Sequence, residues 1–313
     1  MVQSLGTLSF MVHDHINVAI QRNRLPDNFF SIVDNWYRPL AEAVAGKHQA
    51  LGSTFVLGVQ GTQGSGKSTL ADFLTVILST DHQLNTVALS IDDFYLTLEE
   101  RLSLARTVHP LLKTRGVPGT HDVQLALNTI DQLKALSSGQ SLSLPRFNKA
   151  IDDREPESAW TRVSQPVDII IFEGWCVGMQ SQSEDELTTS VNRLEADEDP
   201  DGRWRHYVNQ ALAKDYHDLF SRLNALAVLK APSFACVYEW RLLQEQKLAA
   251  SLANASAEMK SKILSPEQVE RFISHYQRLT EHGLQTLPQQ ADWTLHLDQN
   301  HVITQMTQRD DYA

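Results

Sequence analysis

The chain predicts an α/β fold with a five-stranded, mainly parallel sheet flanked by helices, and three observations predict it. Short β-branched apolar runs alternate with helical stretches along most of the 313 residues. A glycine-rich turn joins the first of these runs to a helix, and acidic residues directly follow the second and third runs. Strand and helix in alternation build parallel sheets whose ligands sit beyond the carboxyl ends of the strands.

Taken in order, residues 8 to 47 place Phe30, Val33, Trp36, Tyr37, Leu40 and Val44 at steps of three and four. This spacing predicts an N-terminal helical extension within 1–50, ending at Gly46. "TFVLGVQ" at 54 to 60 then reads as a strand buried on both faces, and "TLADFLTVIL" as the helix after the turn. Four more runs read as strands: "NTVALSID" at 85, "PVDIIIFEG" at 166, "LNALAVLKAP" at 223 and "ADWTLHLD" at 291. Together they define one domain over 51–300. Within it, the acidic stretch 180–204 reads as a mobile surface insert, and 301–313 reads as a C-terminal tail.

Composition narrows the classes of partner. A net charge of −11 argues against nucleic acid and against anionic membrane, so any phosphate must be held by a focused site. Two cysteines, Cys176 and Cys236, are too few for a disulfide framework and have no metal-ligand spacing. The N-terminal stretch is broken by His13, Asp14 and His15, unlike a leader, and no run approaches 18 apolar residues. A soluble, cytoplasmic protein is expected. No heptad pattern indicates an oligomer.

"GTQGSGKST" at 61 to 69 fills the pattern GxxxxGK[ST] between a strand and a helix. The glycines let successive backbone N–H groups point at a phosphate, and the helix start faces the anion with its positive end. Residues Gly61, Thr62, Gln63, Gly64, Ser65, Gly66, Lys67, Ser68 and Thr69 are therefore the candidate nucleotide cradle of a P-loop NTPase fold. Lys67 is suited to the β- and γ-phosphates and Ser68 to Mg²⁺.

Transfer from such a site needs carboxylates. Asp92 and Asp93 in "SIDDFY" are adjacent, so on extended backbone they face opposite sides. Asp92 is the favoured general base, with helix capping as its alternative role. Glu173, ending "DIIIFE", is a candidate for orienting Mg²⁺ through water, or else a salt-bridge partner.

"GTQGSGKST", "SIDDFY", "RGVPGTHD", "PRFNKAIDDR", "FEGWCVG" and "LKAPSFACVYEWRLLQEQKL", in this order, resemble the glycerate kinase family of the plant and fungal type. That family lies within the wider group of uridine kinase, pantothenate kinase and phosphoribulokinase. The resemblance spans roughly residues 50 to 300 and implies a P-loop kinase that uses ATP with Mg²⁺. The implied acceptor is a small hydroxylated metabolite, D-glycerate above all, phosphorylated at its 3-hydroxyl. It supports Asp92 as base and a helical lid from which Arg241 reaches the γ-phosphate, the alternative being an ion pair with Glu239 or Glu245. An acidic acceptor needs cations, and Arg115, Lys149 and Arg154 are the candidates. His121 and Asp122 are candidates for an acceptor hydroxyl, Asp122 equally for a helix cap, and Trp204 and Tyr207 for the pocket wall. This chain has Asn148 where relatives commonly carry Asp. Two other readings stand beside this one: a kinase for pantothenate, a nucleoside or a sugar acid, and a non-catalytic ATP-binding regulator.

Overall fold

The computed structural model describes residues 15–251 and 264–309. The first fourteen residues of the predicted extension and the last four of the predicted tail lie outside them.

Residues 15–22 are helical, and a second helical run begins at Asp27, passes through a π-turn at Val33–Tyr37 and continues as α1, Arg38–Leu51. Gly46 does not end this helix, as its sequence position suggested. Gly52 does, with φ of 67° that closes the last turn through a hydrogen bond from its N–H to the His48 carbonyl. A side chain at Gly52 would be forced into the left-handed region, so Gly52→Ala is expected to cost about 1 kcal/mol. Urea unfolding monitored by circular dichroism measures it; an unchanged midpoint would show that the helix end relaxes.

All five predicted strands are present, and a sixth joins them. Strands are numbered in chain order: β1 (Phe55–Gly61), β2 (Thr86–Ser90), β3 (Leu142–Leu144), β4 (Phe147–Asn148), β5 (Asp153–Arg154), β6 (Thr161–Val163), β7 (Ile169–Gly174), β8 (Ala225–Lys230), β9 (Trp293–Leu297) and β10 (Ile303–Gln308). The main sheet runs β10-β9-β8-β1-β7-β2, with β10 antiparallel to β9 and the other neighbours parallel. β10 lies in the segment read as a tail. Its side chains are largely exposed apart from Ile303, so it lacks the apolar run that marks a central strand. The segment between β2 and β7 adds two short antiparallel pairs, β3 with β6 and β4 with β5.

Helices cover both faces: α2 (Lys67–Thr80), α3 (Leu98–Thr107), α4 (Val123–Lys134), α5 (Arg193–Glu198), α6 (Arg203–Ala211), α7 (Phe234–Ser251), α8 (Pro266–Ser274) and α9 (Gln277–Gln290). One core joins α1 and α2 to one side of the sheet. The other packs α4 and α6 with the second face, around Phe172 and Trp175. No helix among the described residues is long and apolar enough to cross a membrane.

The acidic insert runs over the surface with most of its residues exposed, but it is anchored to the domain at several points. Glu195 and Asp199 are fully buried. Arg278 grips Glu195 with two hydrogen bonds of 2.8 and 2.6 Å, and Arg205 donates to Asp199 at 3.1 Å. Leu187 and Leu194 are buried beside them. Glu195 is thus paired with a residue 83 positions away, a partner that local composition does not reveal.

Candidate functional site

The cradle lies at the carboxyl end of β1. The chain turns back tightly after Gly61, where an added Cβ would lie 2.3 Å from Ser65 Oγ, and α2 starts at Lys67 after Gly66 with φ of 90°. A Cβ on Gly66 would meet no heavy atom within 4 Å, so the loop faces open space. Thr62 Oγ1, Ser65 Oγ and Gln63 Oε1 are buried without a hydrogen-bond partner among the described residues. Buried polar atoms are rarely left unpaired, and here they surround a helix N-terminus suited to an anion.

Register brings the acidic residues to this end. Glu173 on β7 lies between Val59 of β1 and Ser90 of β2. It is 6% exposed; Ser68 Oγ donates to its Oε1 at 2.9 Å, while its Oε2 has no partner. A hydroxyl beside a buried carboxylate with a spare oxygen is a donor set that suits a hard divalent cation.

Asp92 and Asp93 are not on extended backbone. They sit in a 3₁₀ turn, Ile91–Phe94, capped by Ser90 Oγ, so Asp92 is not the cap. The two carboxylates still separate. Asp93 accepts from Arg146 at 2.8 Å and from the Phe147 N–H at 3.2 Å, which ties the turn to β4. Burial pushes Asp93 up despite those bonds. Asp92 accepts from the Tyr95 hydroxyl at 2.8 Å and from Lys149 Nζ at 2.6 Å. Its burial acts upward, but the charges of Lys149 and Lys67 and the bonds from Lys149 and Tyr95 outweigh it and hold Asp92 at about 2.

A cavity of about 360 Å³ opens between the cradle and α7, where Lys67, Asp92, Tyr95, Arg115, Lys149 and Arg241 meet. Three of these cations are each held by a protein carboxylate: Lys149 by Asp92, Arg115 by Asp152, and Arg241 by Glu245. The predicted lid helix is α7. Arg241 lines the cavity and pairs with Glu245, one of the two ion-pair partners its sequence position offered. Trp175, Gln244, Phe272 and Tyr276 also line the space. Nothing in the sequence marked Phe272 or Tyr276, whose place here is set by packing of α8 and α9 against α7; Tyr95 stood inside "SIDDFY".

His121, Asp122 and Arg154 are not brought to this cavity. Asp122 caps α4 by accepting from the Leu125 N–H at 2.9 Å, and Arg154 donates to Asp122 and to the Tyr95 carbonyl, both at 3.1 Å. His121 stacks on Tyr95 at 4.5 Å and shares a 2.5 Å hydrogen bond with the Tyr216 hydroxyl. Burial lowers its pKa to about 4, which keeps it neutral. Asn148 closes the β4–β5 turn, its Oδ1 accepting from Ala150 N and its Nδ2 donating to Glu155. Trp204 is buried in the core, and Tyr207 lines a different cavity near Gly119.

On the other side of the cradle, a second cavity of about 260 Å³ touches Gly64, Ser65, Gly66 and Thr69. Its walls are mainly apolar, with Leu25, Phe29 and Ile32 from the N-terminal extension, and Trp240 stacked on His301 at 4.2 Å. The cradle thus separates a charged space from an apolar one.

No family model matches the chain. Relatives and solved structures do. The chain is 36% identical over 238 residues to the uncharacterized kinase mug58 of Schizosaccharomyces pombe, covering 72% of this chain and 79% of that one. It is 33% identical over 230 residues to the chloroplastic D-glycerate 3-kinase of Arabidopsis thaliana, covering 71% of this chain but 46% of the plant protein. The D-glycerate 3-kinase structure from Cryptococcus neoformans var. grubii superposes with a TM-score of 0.70 at 25% identity, over 87% of this chain and 97% of that one. The similarity runs over most of the chain and, together with the strand–cradle–helix unit and the carboxylates at the neighbouring strand ends, it marks an ATP-dependent small-molecule kinase: the chain belongs to the glycerate kinase family of P-loop kinases.

Proposed function

We propose that the chain transfers the γ-phosphoryl group of ATP to the 3-hydroxyl of D-glycerate. The observation that carries this reading is the cavity beside the cradle, in which Asp92 stands among Lys67, Arg115, Lys149 and Arg241. A small acceptor with one carboxylate and a primary hydroxyl matches that charge pattern. The triphosphate would lie on the backbone of 61–69 with Lys67 on its outer phosphates, and the nucleobase would sit in the apolar cavity beside Thr69.

Ser68 and Glu173 fit Mg²⁺, Ser68 as a ligand and Glu173 through water; the metal would supply neutralisation of phosphate charge. Asp92 takes the proton of the acceptor hydroxyl as its oxygen bonds to the γ-phosphorus. The bond from that phosphorus to the bridging oxygen breaks, and its electron pair leaves with ADP. Arg241 stabilises charge on the transferring group. Arg115 binds the acceptor carboxylate with its planar fork. His121, Asp122 and Arg154 hold Tyr95, and through it Asp92, rather than the acceptor. We read the chain as cytoplasmic from its cysteine content.

ADP release with Mg-ATP tests the reading, comparing D-glycerate with L-glycerate, pantothenate, uridine and no acceptor. Strong stimulation by D-glycerate alone is expected. Stimulation by another acceptor would reassign the substrate, and none at all would favour a nucleotide-binding regulator. Arg115→Ala should raise KM for D-glycerate by about tenfold or more while leaving KM for ATP nearly unchanged, the loss of one charge-assisted contact of about 1.5–3 kcal/mol. Equal effects on both would place Arg115 on the nucleotide.

A further inference from the structure

Both oxygens of the candidate base are engaged: Tyr95 donates to Oδ1 and Lys149 to Oδ2. The two donors differ in kind. Tyr95 is buried, stacked on His121, and its backbone carbonyl is held by Arg154, so it is fixed. Lys149 is 59% exposed on a four-carbon stem, on the turn between β4 and β5. The turn itself is tethered at both ends. Arg101, 1% exposed, donates to the Asp152 carbonyl at 2.7 Å and pairs with its carboxylate at 3.1 Å, while Asn148 accepts from Ala150 N at 2.9 Å. One element of this arrangement is therefore free to swing, and it is the ammonium that occupies the oxygen needed for proton transfer.

We propose that Lys149 masks Asp92 until an acceptor carrying its own negative charge draws the ammonium away, so that selection against neutral alcohols falls on turnover more than on binding. This rests on the kinase reading above, with Asp92 as base. Lys149 reaches Asp92 from the solvent side of the cavity, so a carboxylate seated there can offer the ammonium a charge-assisted bond of the same kind and compete for it. A neutral hydroxyl brings no negative charge to replace that of Asp92 and does not. With Lys149 in place Asp92 is held at about 2 and is a poor base; with Lys149 gone to the acceptor, Oδ2 is exposed and more basic, while Tyr95 still orients the carboxylate. The released Oδ2 then accepts the hydroxyl proton in the transfer step described above.

D-glycerate and glycerol share two hydroxyl groups and differ by one charge, which makes them the test pair. In the wild type, kcat for glycerol should fall at least about a hundredfold below that for D-glycerate, with a smaller difference in KM. Lys149→Met should raise kcat for glycerol about tenfold and lower kcat/KM for D-glycerate, and Lys149→Arg should keep the wild-type ratio of the two kcat values. Three results would overturn the inference: glycerol turned over by the wild type as fast as D-glycerate, Lys149→Met lowering both kcat values by the same factor, or a rise in KM for D-glycerate with glycerol turnover unchanged. The last leaves Lys149 a simple carboxylate binder. An unchanged thermal midpoint in each variant excludes misfolding, and Lys149→Gln repeats the measurement if Met lowers it. If the wild type uses pantothenate instead, the D-glycerate assignment fails and the same criteria apply to pantothenate and panthenol. Wild-type activity confined to neutral acceptors sinks both the D-glycerate reading and the mask, whereas D-glycerate turnover without the glycerol contrast sinks the mask alone.

Discussion

Lys67→Ala is expected to abolish ATP binding in the measurable range, raising Kd by at least about a hundredfold. Lys67 opens α2 and lines the cavity beside a loop in which the buried Thr62 and Ser65 hydroxyls lack protein partners, and on the nucleotide reading those hydroxyls and the Lys67 ammonium donate to phosphate oxygens. Two hydrogen bonds to charged oxygens at about 1.5–3 kcal/mol each account for that loss. The side chain is partly exposed, so the fold should persist with the wild-type thermal midpoint. Isothermal titration with Mg-ATP measures the effect; an unchanged affinity would remove the cradle from the nucleotide site.

Asp92→Asn should leave ATP affinity within a few fold and cut kcat by about a hundredfold or more, the contribution of a positioned general base. The amide keeps the shape of the carboxylate and can still accept from Tyr95 or Lys149, so geometry survives while the proton acceptor is lost. That separates chemistry from positioning. Single-turnover phosphoryl transfer from labelled ATP reads it directly. Near wild-type turnover would move the base elsewhere, with Glu173 the next carboxylate to test.

Some of this site is legible in the sequence because its signals are local. The cradle is nine consecutive residues, and the strand before it and helix after it follow from periodicity over a few turns. Glu173 and Asp92 are legible as charges placed after apolar strands. The rest depends on partners far along the chain. Asp122 and Arg154 look like free polar groups until β5 is folded against α4, whereupon they pair with each other and with the Tyr95 carbonyl. Glu195 looks solvated until Arg278, 83 residues later, reaches it. The 3₁₀ turn at Ile91–Phe94 escaped because two residues after a strand carry too little periodicity to tell a turn from extended chain. β10 escaped for the opposite reason to β1: an edge strand with one buried side chain has almost no apolar pattern to read.

The strand order carries a consequence for how the protein is made. β1 sits in the middle of the sheet, yet Phe55 pairs with Ile169, 114 residues downstream (169 minus 55), and Leu57 with Ala225, 168 downstream (225 minus 57). At a synthesis rate of about 5–20 residues per second, this strand, buried along its whole length in the fold, leaves the ribosome roughly 6–23 s before its first neighbour exists. The helical extension and α2 can cover one face of β1 in that interval, but both of its hydrogen-bonding edges stay open. The nascent chain therefore passes through a stage in which the strand that carries the cradle is its stickiest segment, and a chaperone that shields strand edges would raise the yield of the folded enzyme.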